Sequence, residues 1–267
     1  MIWKYAGGSW LDTVRRAVMP AAVLLAACGL GSPAMAGPPF VTDDPEPVEY
    51  QHWEINIAAI GSFAGGSRFG NLPGVDANYG PVEDVQLHLG FANAYDGAPH
   101  RATRDGYGDT ELGVKYRFVE EDEEGWRPQI AIYPNLEIPT GSRTRNIGTG
   151  EVRAFLPVWI QKSFDGWTSY GGGGYWINPR NGVAPERNYW FAGWTLLRHV
   201  NDDLQLGGEL IWQSPNGEDI ATGTGYNLGG EYDISETYHI LFSAGRNLED
   251  PNRYNAFSFY LGLQLIL

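Results

Sequence analysis

The chain has 267 residues, a formal net charge of −14, 36 glycines, 10 tryptophans and a single cysteine. Such acidity argues against a nucleic-acid partner, which demands a clustered cationic surface. One cysteine excludes a disulfide scaffold, so a large fold, not covalent staples, must hold an exported chain together.

Residues 1–36 have the layout of a targeting signal. Lys4, Arg15 and Arg16 precede an apolar run over 17–30 that is too short to span a bilayer, and Ala34-Met35-Ala36 offers small residues for cleavage before Gly37. Leu25-Ala26-Ala27-Cys28-Gly29 also resembles a lipoprotein box, so Cys28 is either lipidated or removed with the signal. Both routes take the chain out of the cytoplasm. Beyond residue 36 no apolar run approaches the roughly 18 residues that mark a membrane helix. Residues 37–51 are rich in Pro and acid and are expected to form an extended periplasmic lead-in to one domain over 52–267.

That domain reads as a succession of strands. In 52–63, Trp53, Ile55, Ile57 and Ala59 alternate with Glu54, Asn56 and Ala58. A Gly-rich loop over 61–70, a weaker strand over 72–80 interrupted by Pro73 and Gly74, and a turn at Pro81-Val82-Glu83-Asp84 follow. Val85, Leu87, Leu89 and Phe91 alternate with Gln86, His88 and Gly90, and a loop is expected over 96–106. Thr110, Leu112, Val114, Tyr116 and Phe118 then alternate with Asp109, Glu111, Lys115 and Arg117. An acidic turn over 120–125 leads to Ile130, Ile132, Leu136 and Ile138 against Gln129, Tyr133, Asn135 and Glu137. After a loop over 139–150, Val152, Ala154, Leu156, Val158 and Ile160 oppose Glu151, Arg153, Trp159 and Gln161, and Phe164-Asp165-Gly166 signals a hairpin.

Residues 167–177 contain Gly171-Gly172-Gly173-Gly174 with no Lys-Ser/Thr after them, so close backbone approach explains them better than a phosphate loop. Strands are expected over 189–200, 204–214, 224–234 and 238–246, and a last one ends at Leu267. In that last strand Phe257, Phe259, Leu261, Leu263 and Leu265 lie opposite Ser258, Tyr260, Gly262 and Gln264. A strand with one apolar face at a free edge invites aggregation, and closure onto the first strand removes the edge. About twelve strands joined alternately by short turns and longer Gly/Pro/Asn-rich loops match a closed antiparallel transmembrane β-barrel, with short periplasmic turns and longer extracellular loops. The all-β barrel also satisfies every backbone group internally, as a bilayer requires.

The stretch Gly37-Pro38-Pro39-Phe40-Val41-Thr42-Asp43-Asp44-Pro45-Glu46-Pro47, continuing to His52-Trp53-Glu54, resembles a bacterial family of outer-membrane transporters labelled for the MetA pathway of phenol degradation. Leu72-Pro73-Gly74, Asn78-Tyr79-Gly80-Pro81, Gln86-Leu87-His88 and Glu137-Ile138-Pro139-Thr140-Gly141 are similar to its recurring segments. The resemblance implies residence in the outer membrane of a Gram-negative envelope and passage of small molecules, aromatic or hydrophobic ones among them. It carries over no catalytic motif. The last three alternate leucines resemble the insertion signal read by the barrel-assembly machinery, although that signal usually ends in an aromatic and this chain ends in Leu267.

The residues expected to line the lumen are Glu54, His88, Glu111, Lys115, Arg117, Glu137, Arg153, Glu209 and Glu231, together with Asp76, Asp109 and Asp233. They make either an acidic conduit with a cationic constriction at Lys115, Arg117 and Arg153, or a wall of ion pairs that fills a closed structural or envelope-interaction barrel. A hydrolase would need a serine beside a base, and His88, His239, Ser169 and Ser243 are the candidates. His100, Asp105 and Asp109 lie too loosely spaced for a metal site. No cofactor and no metal are expected; the expected partners are outer-membrane lipid and a small solute. Trp53, Tyr79, Trp126, Trp167, Trp176, Tyr189 and Trp212 are placed on the outer face as interfacial aromatics.

Overall fold

The computed structural model describes residues 37–122, 124–179, 187–217, 222–251 and 256–267. The expected targeting segment, including Cys28, lies outside the described residues.

The described residues form twelve barrel strands. They are β1 (Trp53–Ala64), β2 (Ser67–Val82), β3 (Val85–Gly97), and β4 in two pieces (Arg104–Tyr107 and Thr110–Val119). Next come β5, also in two pieces (Gln129–Ile132 and Asn135–Ile138), β6 (Arg153–Phe164), β7 (Trp167–Ile177) and β8 (Tyr189–Asn201). β9 (Leu204–Gln213), β10 (Gly223–Asp233), β11 (Tyr238–Asn247) and β12 (Phe257–Ile266) complete the wall. Each strand pairs antiparallel with its chain neighbours, and β1 closes on β12 from Glu54↔Ile266 to Phe63↔Phe257. Trp53 and Leu267 exchange backbone hydrogen bonds at 2.8 and 2.9 Å, so the closing seam runs to the final residue. Closure pairs β1 with β12 and so removes the free edge that an open sheet would expose to a bilayer.

The alternation of side chains sorts the wall into two faces. Ile57, Leu87, Leu89, Phe91, Leu112, Val114, Leu156, Val158, Leu210, Leu228 and Leu261 are exposed on the outside. On the inside Asn56, Gln86, His88, Lys115, Glu137, Glu209, Asn227 and Gln264 are buried. A continuous apolar exterior around a polar interior inverts the order of a water-soluble protein and fits lipid as the outer solvent. Trp53 and Tyr79 pack as tilted rings 4.6 Å apart near the end of the short turns, and Tyr175 and Trp190 do so at 4.8 Å near the opposite end, where interfacial aromatics belong.

Three expectations are corrected. The loop expected over 61–70 is a two-residue hairpin, because β1 runs on to Ala64 and β2 starts at Ser67; Gly65 and Gly66 take φ of 55° and 83°. Two successive positive φ values match the twist of the flanking strands, and glycine adopts them without strain. The connection between β4 and β5 is longer than expected of a short turn, so the sorting of connections by length has an exception at each of these places. The loop expected over 96–106 is shorter, since β3 continues to Gly97 and Arg104–Tyr107 pairs back onto Asn93–Asp96.

The four glycines of β7 serve close approach. A Cβ on Gly172 would lie 2.1 Å from the Val158 carbonyl oxygen, and one on Gly173 would lie 2.3 Å from that of Phe191. β6, β7 and β8 therefore come together more tightly than side chains would permit.

Candidate functional site

The lumen holds the chain's own N-terminal segment. Within residues 37–51, expected as an extended lead-in, Phe40, Thr42 and Asp43 are buried among inward-facing side chains. From the short-turn end, where the Gln51 amide donates to the Gly80 carbonyl at 2.7 Å, the segment climbs into the barrel. The Val48 amide donates to Gln86 Oε1 at 3.0 Å. Lys115 Nζ then meets Asp43 Oδ1 at 3.0 Å, Asp44 Oδ1 at 3.4 Å and the Glu46 carbonyl at 3.2 Å. The Val41 and Thr42 amides donate to the two carboxylate oxygens of Glu209 at 2.9 and 2.8 Å, and Asn227 Nδ2 donates to Oε1 of the same group at 2.5 Å. Ser243 Oγ donates to the Pro39 carbonyl at 2.5 Å. Gln86, Lys115, Glu209 and Ser243 stand on β3, β4, β9 and β11, so the segment bridges the lumen from wall to wall.

Two features explain why this sequence docks there. Pro38, Pro39, Pro45 and Pro47 have no amide donors, which lowers the number of backbone groups a lumen must satisfy. Gly193 on β8 leaves the space that Thr42 fills: a Cβ there would sit 2.0 Å from Thr42 Oγ1. Burial pushes the Asp43 carboxyl up to about 6 against the opposing pull of Lys115, and Asp44 adds to the rise. Glu46 is raised as well, first by burial and then by Asp44.

The remaining candidates occupy the inner face in local networks. Glu54 Oε1 accepts from Asn56 and Asn78 at 3.0 and 3.3 Å. His88 Nδ1 lies 2.9 Å from Asp76 Oδ1, and its Nε2 lies 3.9 Å from Glu111 Oε2. Arg117 reaches Asp84 at 2.7 Å near the short-turn rim. Arg153 grips Glu137 through two bonds of 3.1 and 2.5 Å, with both side chains 3% exposed. Asp109 accepts from the Gly141 and Thr149 amides and from Thr149 Oγ1, so it anchors the loop after β5 to the wall. Glu231 and Asp233 gather around His239 at the short-turn rim. Lys115, Arg117 and Arg153 do not meet as one cationic constriction; each is held by a different acid.

The four residues considered for hydrolysis make other contacts. His88 and His239 face carboxylates, Ser243 bonds to Pro39, and Ser169 Oγ accepts from Trp194 Nε1 at 3.0 Å.

Sequence reasoning missed an aromatic arc inside the barrel. Trp176 and Tyr189, expected outside, face inward as a register pair. Phe155 stacks on Trp176 at 4.8 Å, and Trp176 stacks on Tyr189 at 6.0 Å. Tyr133, Phe155, Trp159 and Trp176 form one buried cluster with Phe191 against it, and Arg153 lies 5.1 Å over the Trp176 ring. The signal was present in the alternation: Arg153, Phe155, Pro157, Trp159 and Gln161 share one parity, and Arg153 and Gln161 assign that parity to the inside.

Known proteins place this architecture. The COG4313 outer membrane channel from Pseudomonas putida F1 superposes with a TM-score of 0.67 at 15% identity, over 84% of this chain and 98% of that one. The NanC porin superposes with a TM-score of 0.53 at 9% identity, over 80% of this chain and 98% of that one. The KdgM porin, solved in complex with disordered oligogalacturonate, gives 0.51 at 11% identity over the same shares of each chain. At these identities the likeness is one of fold, an outer-membrane β-barrel. No curated protein matches the chain by sequence. Residues 61–263 match the family described as "Putative MetA-pathway of phenol degradation", and the chain belongs to that family.

Proposed function

As a member of that family, the protein is, we propose, an outer-membrane channel for small hydrophobic or aromatic molecules, and its lumen is gated by residues 39–48. The single observation that supports this reading is the joint occupancy of the inner wall. An aromatic arc on β5–β8 makes one side of the inner wall apolar, and the polar remainder holds a docked segment. Lipid surrounds the outer band, and the small solute is the partner inside. The nine residues expected to line the path, Glu54, His88, Glu111, Lys115, Arg117, Glu137, Arg153, Glu209 and Glu231, divide by role. Lys115 and Glu209 hold the segment; Arg153 and Glu137 orient the aromatic arc; the others keep the wall polar and hydrated.

Transport is favoured over hydrolysis because, among the described residues, His88 and His239 contact acids and no serine, while Ser243 bonds to the segment. The rival from another class is a closed structural barrel, which the depth of Thr42 and Asp43 in the lumen supports. Planar-bilayer conductance and uptake of a small phenol into proteoliposomes separate the two. A chain lacking residues 39–48 should conduct and take up solute several-fold faster than the full chain. A full chain and a deletion that are both silent would sink the channel reading and leave the closed barrel.

A further inference from the structure

We propose that Glu231, Asp233 and His239 form a binding site for a zinc-class divalent cation at the periplasmic rim of the lumen. The site rests on the register of the β10–β11 hairpin and not on the transport reading. Glu231 and Asp233 are two apart on β10 and so share its inner face; His239 on β11 stands directly opposite Asp233. The Ile234 amide donates to the Tyr238 carbonyl at 2.9 Å, which locks the turn between them. His239 Nδ1 lies 2.7 Å from Asp233 Oδ1 and 3.2 Å from Glu231 Oε1, and one ligand atom from each residue falls within 4.8 Å of the others.

That triangle has the size a cation requires. Bonds of roughly 2.0–2.2 Å to imidazole nitrogen and carboxylate oxygen put tetrahedral ligand atoms about 3.3–3.6 Å apart. Asp233 Oδ1 must draw back from Nδ1 by about 0.6–0.9 Å and Glu231 Oε1 by at most about 0.4 Å, shifts that side-chain rotation supplies.

His239 Nε2 is buried and, among the described residues, has no hydrogen-bond partner, so no other group competes for the ring once Nδ1 binds a cation. Without metal, Nδ1 donates its proton to Asp233 Oδ1 at 2.7 Å; a cation bound there takes that proton's place, and the ring N–H then sits on Nε2. A divalent ion between two carboxylates and a neutral imidazole also cancels the charge of the pair. The nitrogen donor selects a borderline cation such as Zn²⁺ over Ca²⁺ or Mg²⁺, which prefer oxygen alone. His88 is the competing cluster in the lumen, but it meets Asp76 through Nδ1 and Glu111 through Nε2, so no single ring nitrogen faces both acids.

The test uses tag-free full-length barrel refolded in detergent, stripped of metal with a chelator and titrated with Zn²⁺, with Co²⁺ as the optical probe. One Zn²⁺ per barrel is expected, with tetrahedral Co²⁺ absorption and no competition from a large excess of Mg²⁺. His239→Ala and Asp233→Asn should each weaken binding at least tenfold, while His88→Gln and His52→Ala leave it unchanged. Retained heat-modifiable mobility on gels certifies that each variant is folded. Absence of Zn²⁺ uptake by the parent, equal affinity in folded His239→Ala, or loss in His88→Gln instead would overturn the site.

Discussion

The inner wall of this barrel is two surfaces with different ways of staying filled. On β5–β8, Tyr133, Phe155, Trp159 and Trp176 pack on one another and on Phe191, and Trp159 is fully buried. On β1–β4 and β9–β12 most of the buried inward groups are polar, and four of them, Gln86, Lys115, Glu209 and Ser243, contact the segment over 39–48. The aromatic side is complete within the wall. The polar side is completed by a strip of chain that is tied to β1 at one end alone among the described residues. The contrast teaches that one lumen can be filled in two ways: one arc by the barrel's own packing, the other by a docked segment from outside the strands.

Substitutions can break that contrast in either direction. Trp159→Ala removes the largest fully buried side chain and should lower barrel stability by about 3–5 kcal/mol, read as unfolding in urea, without releasing the segment. A stability loss below 1 kcal/mol would mean that the aromatic arc is not the structural half. Lys115→Met strands Asp43 as a buried charge, a loss of about 3–5 kcal/mol if the segment stayed docked. Undocking avoids that cost, so bilayer conductance should rise while barrel unfolding stays near that of the parent. A destabilised barrel with unchanged conductance would assign Lys115 to the wall instead. Gly193→Val forces Thr42 off β8 at about 1–3 kcal/mol, with a smaller rise in conductance and faster proteolysis within 39–48.

The smallest effect is on pH. The docked Asp43 carboxyl titrates at about 6 instead of 3.8, so docking takes up a proton. Lys115 faces this carboxyl and lowers its affinity for protons; Asp44 and burial outweigh it. A group that binds protons more tightly when docked favours docking at low pH, and that contribution fades as pH rises from about 4 through 6. Conductance should therefore increase across this window, and Asp43→Asn should flatten the profile. A conductance that falls over the same range would reverse the sign and remove Asp43 from the gate.

Much of the fold was legible because strand alternation is a local property. Thr110 to Phe118 and Phe257 to Leu265 declare their faces residue by residue, and the closing β1–β12 pair follows from matching apolar faces. The inward parity of Glu54, His88, Lys115, Arg153 and Glu209 was readable in the same way. The hairpin at Gly65-Gly66 was misjudged because glycine marks a two-residue turn and a long loop equally well. Trp176 and Tyr189 were misplaced because an aromatic near a strand end suits a lipid interface as well as a lumen wall. Only the register Tyr189↔Trp176 beside buried Phe155 distinguishes the two.

By itself the sequence determined the barrel: its alternating strands, its apolar exterior, its polar interior and its closing seam. Each of these depends on residues two apart or on neighbouring strands. The tertiary structure alone decided what fills the lumen. Thr42 meets Glu209 across 167 positions and Pro39 meets Ser243 across 204. No local pattern encodes contacts of that separation. A Pro- and acid-rich stretch that reads as solvated chain is buried because closure brings Lys115, Glu209 and the space above Gly193 around it, and so replaces its water.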